Sequence, residues 1–501
     1  MCLNLKLKPT VIALLTSSLL LIGLPAQAAQ TYRVWVPGLL PVTPTAVWNG
    51  SLSLASAVLP DATKGTSYSY DFSSLLSVTG DALNSADISW TPVSALPAGL
   101  SLSSTGILSG TPTAISSSTL EISAAHAPTS AQKTYTLDVD GVPLVVTDIE
   151  AGGLTSCAIV PGGGVKCWGI NTSGQVGDGT SGNTRITPTN VVGLTSGVTS
   201  ITLGSSHACA LTSAGAVKCW GHNIYGQVGS GSTTPSNVST PITVFASGIV
   251  AVKAGGVHTC VLTSSGGVKC WGNNTWGAVG DGTYTARYSP VDVVGLTSGV
   301  SQLFSATGGY YSCVITTSGS AKCWGMNDYR QLGNNNTSDS SVPVDVLGLT
   351  SPVLSLAMGY AQTCALTSTN GVKCWGYNNN GQVGDGTTTH RASPVDVVGL
   401  TSGVSSIRAG GQQTCALLTN GSTKCWGGNW YSQLGDTTTS NRSSPVTVLG
   451  IPTNVTKISA SGLNACALLS NNTAKCWGGN EYGQIGRGLQ STSSNAKFVV
   501  Q

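Results

Sequence analysis

Short apolar runs, separated by stretches rich in glycine, serine, threonine and asparagine, set the rhythm of this chain. One unit shows it plainly: Val198–Leu203, His207–Thr212, Ala216–Trp220 and Pro241–Phe245 are four runs of five or six residues. Runs this short, bounded by turn formers, predict β-strands rather than helices. The set then recurs. Trp168, Trp220, Trp271, Trp324, Trp375, Trp426 and Trp477, each followed by glycine, are spaced by 52, 51, 53, 51, 51 and 51 residues. A strand-rich period of this length belongs to solenoids and propellers. Four strands in each of seven units predict an all-β fold, a seven-bladed β-propeller with four-stranded blades.

A cysteine stands immediately before each of these tryptophans, and another ten residues earlier. The pairs are Cys157 with Cys167, Cys209 with Cys219, Cys260 with Cys270, Cys313 with Cys323, Cys364 with Cys374, Cys415 with Cys425, and Cys466 with Cys476. Six residues after each first cysteine come Gly163, Gly215, Gly266, Gly319, Asn370, Gly421 and Asn472. Glycine and asparagine best tolerate positive φ, and a three-residue hairpin loop needs a left-handed residue at its third position. With Ser213-Ala214-Gly215 in that loop, Thr212 faces Ala216, Leu211 faces Val217 and Cys209 faces Cys219. If Thr212 and Ala216 close the turn as a hydrogen-bonded pair, alternation makes the cysteines a non-hydrogen-bonded pair. Their Cα atoms then lie roughly 4.5 Å apart, within disulfide reach. Each pair staples its own hairpin, contributing about 3 kcal/mol by loop entropy. Zinc is the rival reading, but zinc sites gather four closely spaced ligands, and seven such sites in a row fit the pattern poorly.

The motifs around the tryptophans carry a resemblance. "WGHNIYGQVGSG", "SPVDVVGLTSGV" and "LGSSHACALTSAGAVKCWG" resemble the regulator-of-chromosome-condensation repeat. Its asparagine is present in all seven units, as Asn171, Asn223, Asn274, Asn327, Asn378, Asn429 and Asn480. The Gly-Gln pair is interrupted at Ala278, Arg330 and Ser432. The resemblance covers residues 144–501 and implies a propeller. Ring closure by offset blades would make Phe498–Gln501 pair into the blade begun near Val146. Upstream, "LPAGLSLSSTGILSGTPT" (Leu96–Thr113) resembles the immunoglobulin-like, cadherin-like domains of bacterial surface proteins. A small β-sandwich is expected over residues 55–141, without cysteines, and a Pro-rich linker over residues 29–54.

The N-terminus reads as a signal peptide, residues 1–28. Lys6 and Lys8 precede an apolar run from Thr10 to Leu24, and Ala26-Gln27-Ala28 is a cleavage site. The run is too short for a membrane span, and no later stretch spans. Cleavage removes Cys2 and the two lysines, so the formal charge falls from +3 to +1 and fourteen of the 15 cysteines remain. An even cysteine count in an exported chain fits an oxidising compartment: periplasm, cell surface or medium. The chain has 501 residues, 65 glycines and only 8% charged residues, which excludes a disordered polyelectrolyte.

Candidate chemistry is sparse. No Ser-His-Asp set, phosphate loop or paired carboxylate stands out, so no catalytic residue, metal or cofactor is assigned and no enzymatic activity is expected. His207 and His258 precede cysteines by two residues and read as packing residues. Asp178, Asp281 and Asp385, in "GDGT" turns, read as turn formers. Asp138-Val139-Asp140 is the tightest acidic grouping of the sandwich and reads as an edge feature. No basic run favours nucleic acid. The residues two and four after each tryptophan vary widely, those five after are mostly aromatic, as the resemblance implies for packing, and they share one face of the ring. Trp276, Met326, Tyr377, Trp430 and Tyr431 are the candidate partner-binding anchors. The expected partner is an extracellular or periplasmic protein, with a glycan or surface adhesion as the alternative. Nucleotide exchange, as in the family namesake, ranks behind both, because that activity is intracellular. Peptide mapping under non-reducing conditions should return seven cystine pairs, each within its own hairpin. A dominant cross-unit pair would contradict the register.

Overall fold

The computed structural model describes residues 48–80, 83–306, 308–490 and 492–501. The expected signal peptide and residues 29–47 of the expected linker lie outside these. The N-terminal part is a sandwich. One sheet runs in the order Ala62–Thr63, Thr129–Asp140, Ser116–His126, Ser89–Pro92. The other runs Tyr68–Asp71, Ile107–Gly110, Leu100–Leu102. Phe72, Trp90, Leu108, Leu120, Ile122, Leu137 and Val139 are buried between them. The end of the expected linker is corrected: Ser51–Leu54 is a strand, paired with Leu76–Thr79. Its alternation of serine with leucine buries Leu52 and Leu54 in the sandwich core.

Seven four-stranded antiparallel sheets follow, each with its strands in chain order. Blade one comprises Asp148–Ala151, Thr155–Val160, Gly164–Gly169 and Arg185–Asn190. Blade seven comprises Val455–Ala460, Asn464–Leu469, Ala474–Gly478 and Ser493–Phe498. The first strands of successive blades contact one another, and that of blade one contacts that of blade seven, so first strands surround the axis. Fourth strands form the rim, and in blades one to six each carries a proline: Pro188, Pro241, Pro290, Pro343, Pro394 and Pro445.

The hairpins have the register that their loops dictate. Thr212 and Ala216 close the turn, Leu211 faces Val217 and Cys209 faces Cys219. All fourteen cysteines of the described residues are joined within their own hairpins. Cys157 bonds Cys167, Cys209 bonds Cys219, Cys260 bonds Cys270 and Cys313 bonds Cys323. Likewise Cys364 bonds Cys374, Cys415 bonds Cys425 and Cys466 bonds Cys476. Their Cα atoms are 4.0 or 4.1 Å apart, somewhat closer than the expected spacing. The loop residue has positive φ in every blade, including Asn370 and Asn472 at 58° and 62°.

Blades are joined through the tryptophans. Each indole is fully buried and its N–H donates to a backbone carbonyl of the blade before. Trp220 reaches Gln175 and Trp271 reaches Gln227, at 2.9 and 3.0 Å. Trp168 reaches Gln484 at 2.9 Å and so joins the first blade to the last. The acceptor is backbone, which is why Ala278 serves Trp324 equally well at 3.0 Å. The second glycine of each Gly-Gln-x-Gly turn lies against the same indole. At Gly177, with φ +79°, a Cβ would stand 2.6 Å from the Trp220 nitrogen.

The ring ends meet differently from the expected strand exchange. Ser493–Phe498 stays in blade seven, paired with Ala474–Gly478. The chain entering the propeller comes to it instead. The Leu144 N–H donates to the Val499 carbonyl at 2.8 Å, that of Val146 to Asn472 at 2.7 Å, and that of Gln501 to Val142 at 2.9 Å. Whole blades in chain order leave no strand to exchange, so closure falls to this segment. Ion pairs clamp the sandwich to the same blade. Arg487 lies 2.9 Å from Asp140 and 3.4 Å from Asp138, and Lys497 lies 2.6 Å from Asp61 and 2.7 Å from Asp138. Burial would raise the Asp138 carboxyl, but hydrogen bonds from Lys497 and Ser117 and the charge of Arg487 hold it below the usual carboxylate range.

A polar relay also crosses the blades. His207 Nε2 shares a hydrogen bond with Thr259 at 2.9 Å, and His258 Nε2 with Ser312 at 2.8 Å. Gln362 and Gln413 at the matching positions donate to carbonyls of the next blade. Burial is the main cause that pushes His207 down to about 3 and His258 down to about 4. The unfolded chain takes up these protons below about pH 6.5, while the folded chain refuses them until far lower. Stability should therefore fall as pH drops from about 6.5, by at most about 1.4 kcal/mol per pH unit for each histidine. A His207→Gln/His258→Gln variant, using the residue found in blades five and six, should lose less melting temperature than the wild type between about pH 6.5 and 5, the remaining fall coming from His222 and His390, which burial also lowers. A wild-type curve that falls no more than the variant's would refute the relay as a source of acid sensitivity.

Candidate functional site

Each third strand runs back toward the turn that links the first two strands. The loops after the tryptophans therefore share one face with those turns. The asparagine three residues after each tryptophan shapes its loop. Asn171 Oδ1 accepts from the Val176 N–H at 3.0 Å, and its amide donates to the Thr180 carbonyl at 3.2 Å. The glutamine then folds back: Gln331 Oε1 accepts from the Tyr329 N–H and Gln433 Oε1 from the Tyr431 N–H, at 3.0 and 2.8 Å. Arg330 and Ser432, which replace glycine before these glutamines, adopt its positive φ, 68° and 57°.

The turn aspartates are structural. Asp178, Asp281, Asp385 and Asp436 each accept from the threonine two residues on and pair with Arg185, Arg287, Arg391 and Arg442. Burial opposes their charge, but the threonine and arginine bonds outweigh it and hold all four carboxyls below the usual range. Among the described residues no cluster of three histidines, cysteines or acids could hold a metal.

On this frame the variable side chains form an aromatic surface across blades three to five. Trp276 lies 4.3 Å from Tyr310, ring centre to ring centre, and Tyr310 lies 6.5 Å from Tyr360. Tyr329 lies 4.9 Å from Tyr377, and both meet His390, at 5.7 and 5.0 Å. The two groups are neighbours. Partial burial raises the Tyr360 phenol, and Tyr310, Tyr329, Asp328 and Tyr377 add to the shift. Burial, then the charge of Arg330, lowers His390. A pocket of about 340 Å³, lined by Asp328, Tyr329, Arg330, Asn379 and His390 among others, opens at its edge.

The anchors expected from the sequence separate. Trp276 and Tyr377 belong to the aromatic surface. Trp430, on blade six, is 52% exposed, and Tyr431 beside it is half-buried. Met326 is corrected: it is 6% exposed and faces no partner. The residue two after each tryptophan still belongs to the ladder, and the Met326 N–H donates to the Tyr310 carbonyl at 3.0 Å, beneath the aromatic turn. Tyr310, Tyr360 and His390 were not anticipated. A signal existed for one of them, since Tyr360 stands where the other units have glycine or serine.

A family model described as RCC1-like domain matches residues 121–401, and one for the RCC1 repeat matches residues 455–484. An Ig-domain model matches residues 51–140. The ultraviolet-B receptor UVR8 of Arabidopsis thaliana is 27% identical over 372 residues, 73% of this chain and 83% of the receptor. The E3 ubiquitin-protein ligase HERC2 of Homo sapiens is 30% identical over 353 residues, 68% of this chain, which spans only 7% of the ligase. Among solved structures, yeast RCC1 (Prp20), bound there to Kap60, superposes with a TM-score of 0.59 at 20% identity. It covers 72% of this chain and 85% of its own, and shows the shared fold.

Replacement of Met326 by alanine should lower stability by about 2–5 kcal/mol, as for a buried side chain. Replacement of Trp430 by alanine should change it by less than about 0.5 kcal/mol. Chemical denaturation of both variants checks the assignment, and the reverse ranking would invalidate it.

Proposed function

The chain belongs to the RCC1-like domain family, and from that membership we propose that it is a secreted, non-enzymatic protein-binding module that recognises its partner through the face bearing the tryptophan loops. One observation carries the reading: Trp276, Tyr329, Tyr377 and His390, on loops whose backbones are fixed by buried asparagines, lie together with Tyr310 and Tyr360, on the turns between first and second strands. Rigid, amphipathic rings of this kind are favoured at the centres of protein interfaces because they contribute area at low entropic cost. The repeat does not require rings at Tyr360, where other units have glycine or serine, or at Tyr377, where two units have glycine, whereas the position of Trp276 and Tyr329 is aromatic in most units. Binding in the family supports the reading. Yeast RCC1 is seen with Kap60, and Prp20p has binding properties toward Gsp1p and histones. Fold alone does not transfer those partners.

Secretion is supported by the N-terminal Lys6, Lys8 and Ala26-Gln27-Ala28 pattern and by seven disulfides, a bond that persists in oxidising compartments. No helix among the described residues is long and apolar enough to cross a membrane. Affinity capture from native envelope extract and culture medium, followed by calorimetry, tests the function. A Trp276→Ala/Tyr360→Ala variant should keep its melting temperature and weaken partner binding by about 2 kcal/mol or more. Capture of glycans on an array in place of protein would move the function to carbohydrate adhesion. Unchanged protein binding by the variant would place the interface elsewhere.

A further inference from the structure

The axis of the ring holds a cavity of about 550 Å³, lined among others by Glu150, Lys253, Gln302, Phe304, Arg408 and Lys457. Lys457, with both Asp148 and Glu150 at 2.5 and 3.3 Å and one negative charge in excess, is paired there. Two other cations are not. Lys253 has neither an ion pair nor a hydrogen bond among the described residues, and Arg408 donates only to the Ile407 carbonyl, 2.8 Å away. Burial pushes the Lys253 ammonium below its usual range. Glu150 opposes that shift, and the charges of Arg408 and Lys457 reinforce it. A partly desolvated cation without a counter-ion costs free energy.

Nothing in the repeat demands these charges. Lys253 and Arg408 sit at one level of the ring, each opposite the first cysteine of its blade. The residues at that level in the other blades are Glu150, Thr202, Phe304, Ala357 and Ser459. Blades three and six are three steps apart in a ring of seven, so the two cations face each other nearly across the axis. Phe304, on blade four, stands between them at the same level. Turn-to-turn hydrogen bonds, such as Gly256 N–H to the Gly309 carbonyl at 2.7 Å and Tyr360 N–H to Gly411 at 2.9 Å, draw the blades together at the aromatic face. At the other end the lining residue Val250 is 54% exposed, so the cavity meets solvent there.

We propose that the axial cavity is a binding site for a small dicarboxylate, with one carboxylate on Lys253, the other on Arg408 and the carbon chain against Phe304. Two cations on opposite walls call for two anionic ends. The guanidinium offers a paired fork to a carboxylate and the ammonium a point charge. The volume lies in the range of small-molecule sites. This site is independent of the outer face and of any protein partner.

Calorimetry on the full mature chain at low ionic strength, with malonate, succinate, glutarate and adipate as probes and acetate and sulfate as controls, tests the proposal. Saturable binding should peak at one chain length and weaken about tenfold or more in Lys253→Met and in Arg408→Met, as expected for a lost charge-assisted bond. Each substitution keeps an apolar stem and removes an unpaired cation, so the unliganded melting temperature should hold or rise. A marked fall would show that the cations serve the fold. Sulfate or acetate binding as tightly as the best dicarboxylate would reduce the cavity to an adventitious anion site. The absence of saturable binding, or unchanged binding by both variants, would overturn the proposal.

Discussion

The structure depends on one hydrogen bond repeated around the ring, from a buried tryptophan indole to a backbone carbonyl of the preceding blade. A four-stranded blade cannot bury both its faces alone, so it must pack against neighbours. The indole supplies the area for that packing, and its N–H must find an acceptor or cost about 1–3 kcal/mol. The acceptor exists only where the neighbour's Gly-Gln-x-Gly turn presents its carbonyl. That turn needs a glycine beneath the ring and an asparagine to hold its loop. Tryptophan, glycine and asparagine therefore recur together because they are parts of one joint. The disulfides act within a blade and the indoles between blades, so neither can replace the other.

Much of this was legible in the sequence because it is local. The residue six after each first cysteine is glycine or asparagine, and that restriction alone gives the hairpin loop and the register that sets Cys209 against Cys219. Strand boundaries followed from apolar runs, since Val198–Leu203 and His207–Thr212 are bounded by glycine and serine. What was not legible is non-local. No spacing rule says that Trp168 bonds Gln484 across 316 residues, or that Asp138 and Asp140 meet Arg487 and Lys497. Met326 looked like a loop residue because ladder pairing continues one residue farther than the apolar run. Tyr310 and Tyr360 lie in turns that sequence reasoning treats as punctuation, and only the closed ring brings them beside Trp276 and Tyr377.

The same division separates architecture from recognition. Positions fixed by the repeat hold the ring, and positions free of it collect in two places. On the outer face they are large rings, suited to a broad apolar contact. Along the axis they are charges at one level of the first strands, suited to a small polar guest. A rigid ring lets both kinds of residue vary without altering the joints, because their side chains make neither the indole bond nor the hairpin staple.

The rim prolines have a consequence for assembly. A fourth strand has an unpaired edge that could accept a strand from another molecule, and a proline removes one of its donors and disrupts such a ladder. Blades one to six carry that protection, whereas Ser493–Phe498 of blade seven has no proline. It is this blade that the N-terminal sandwich grips, with Lys497 of the strand itself held by Asp61 and Asp138. The one rim strand of the described blades that lacks a proline is thus gripped by the sandwich. A propeller stripped of it would be the form of this protein most prone to polymerise edge to edge.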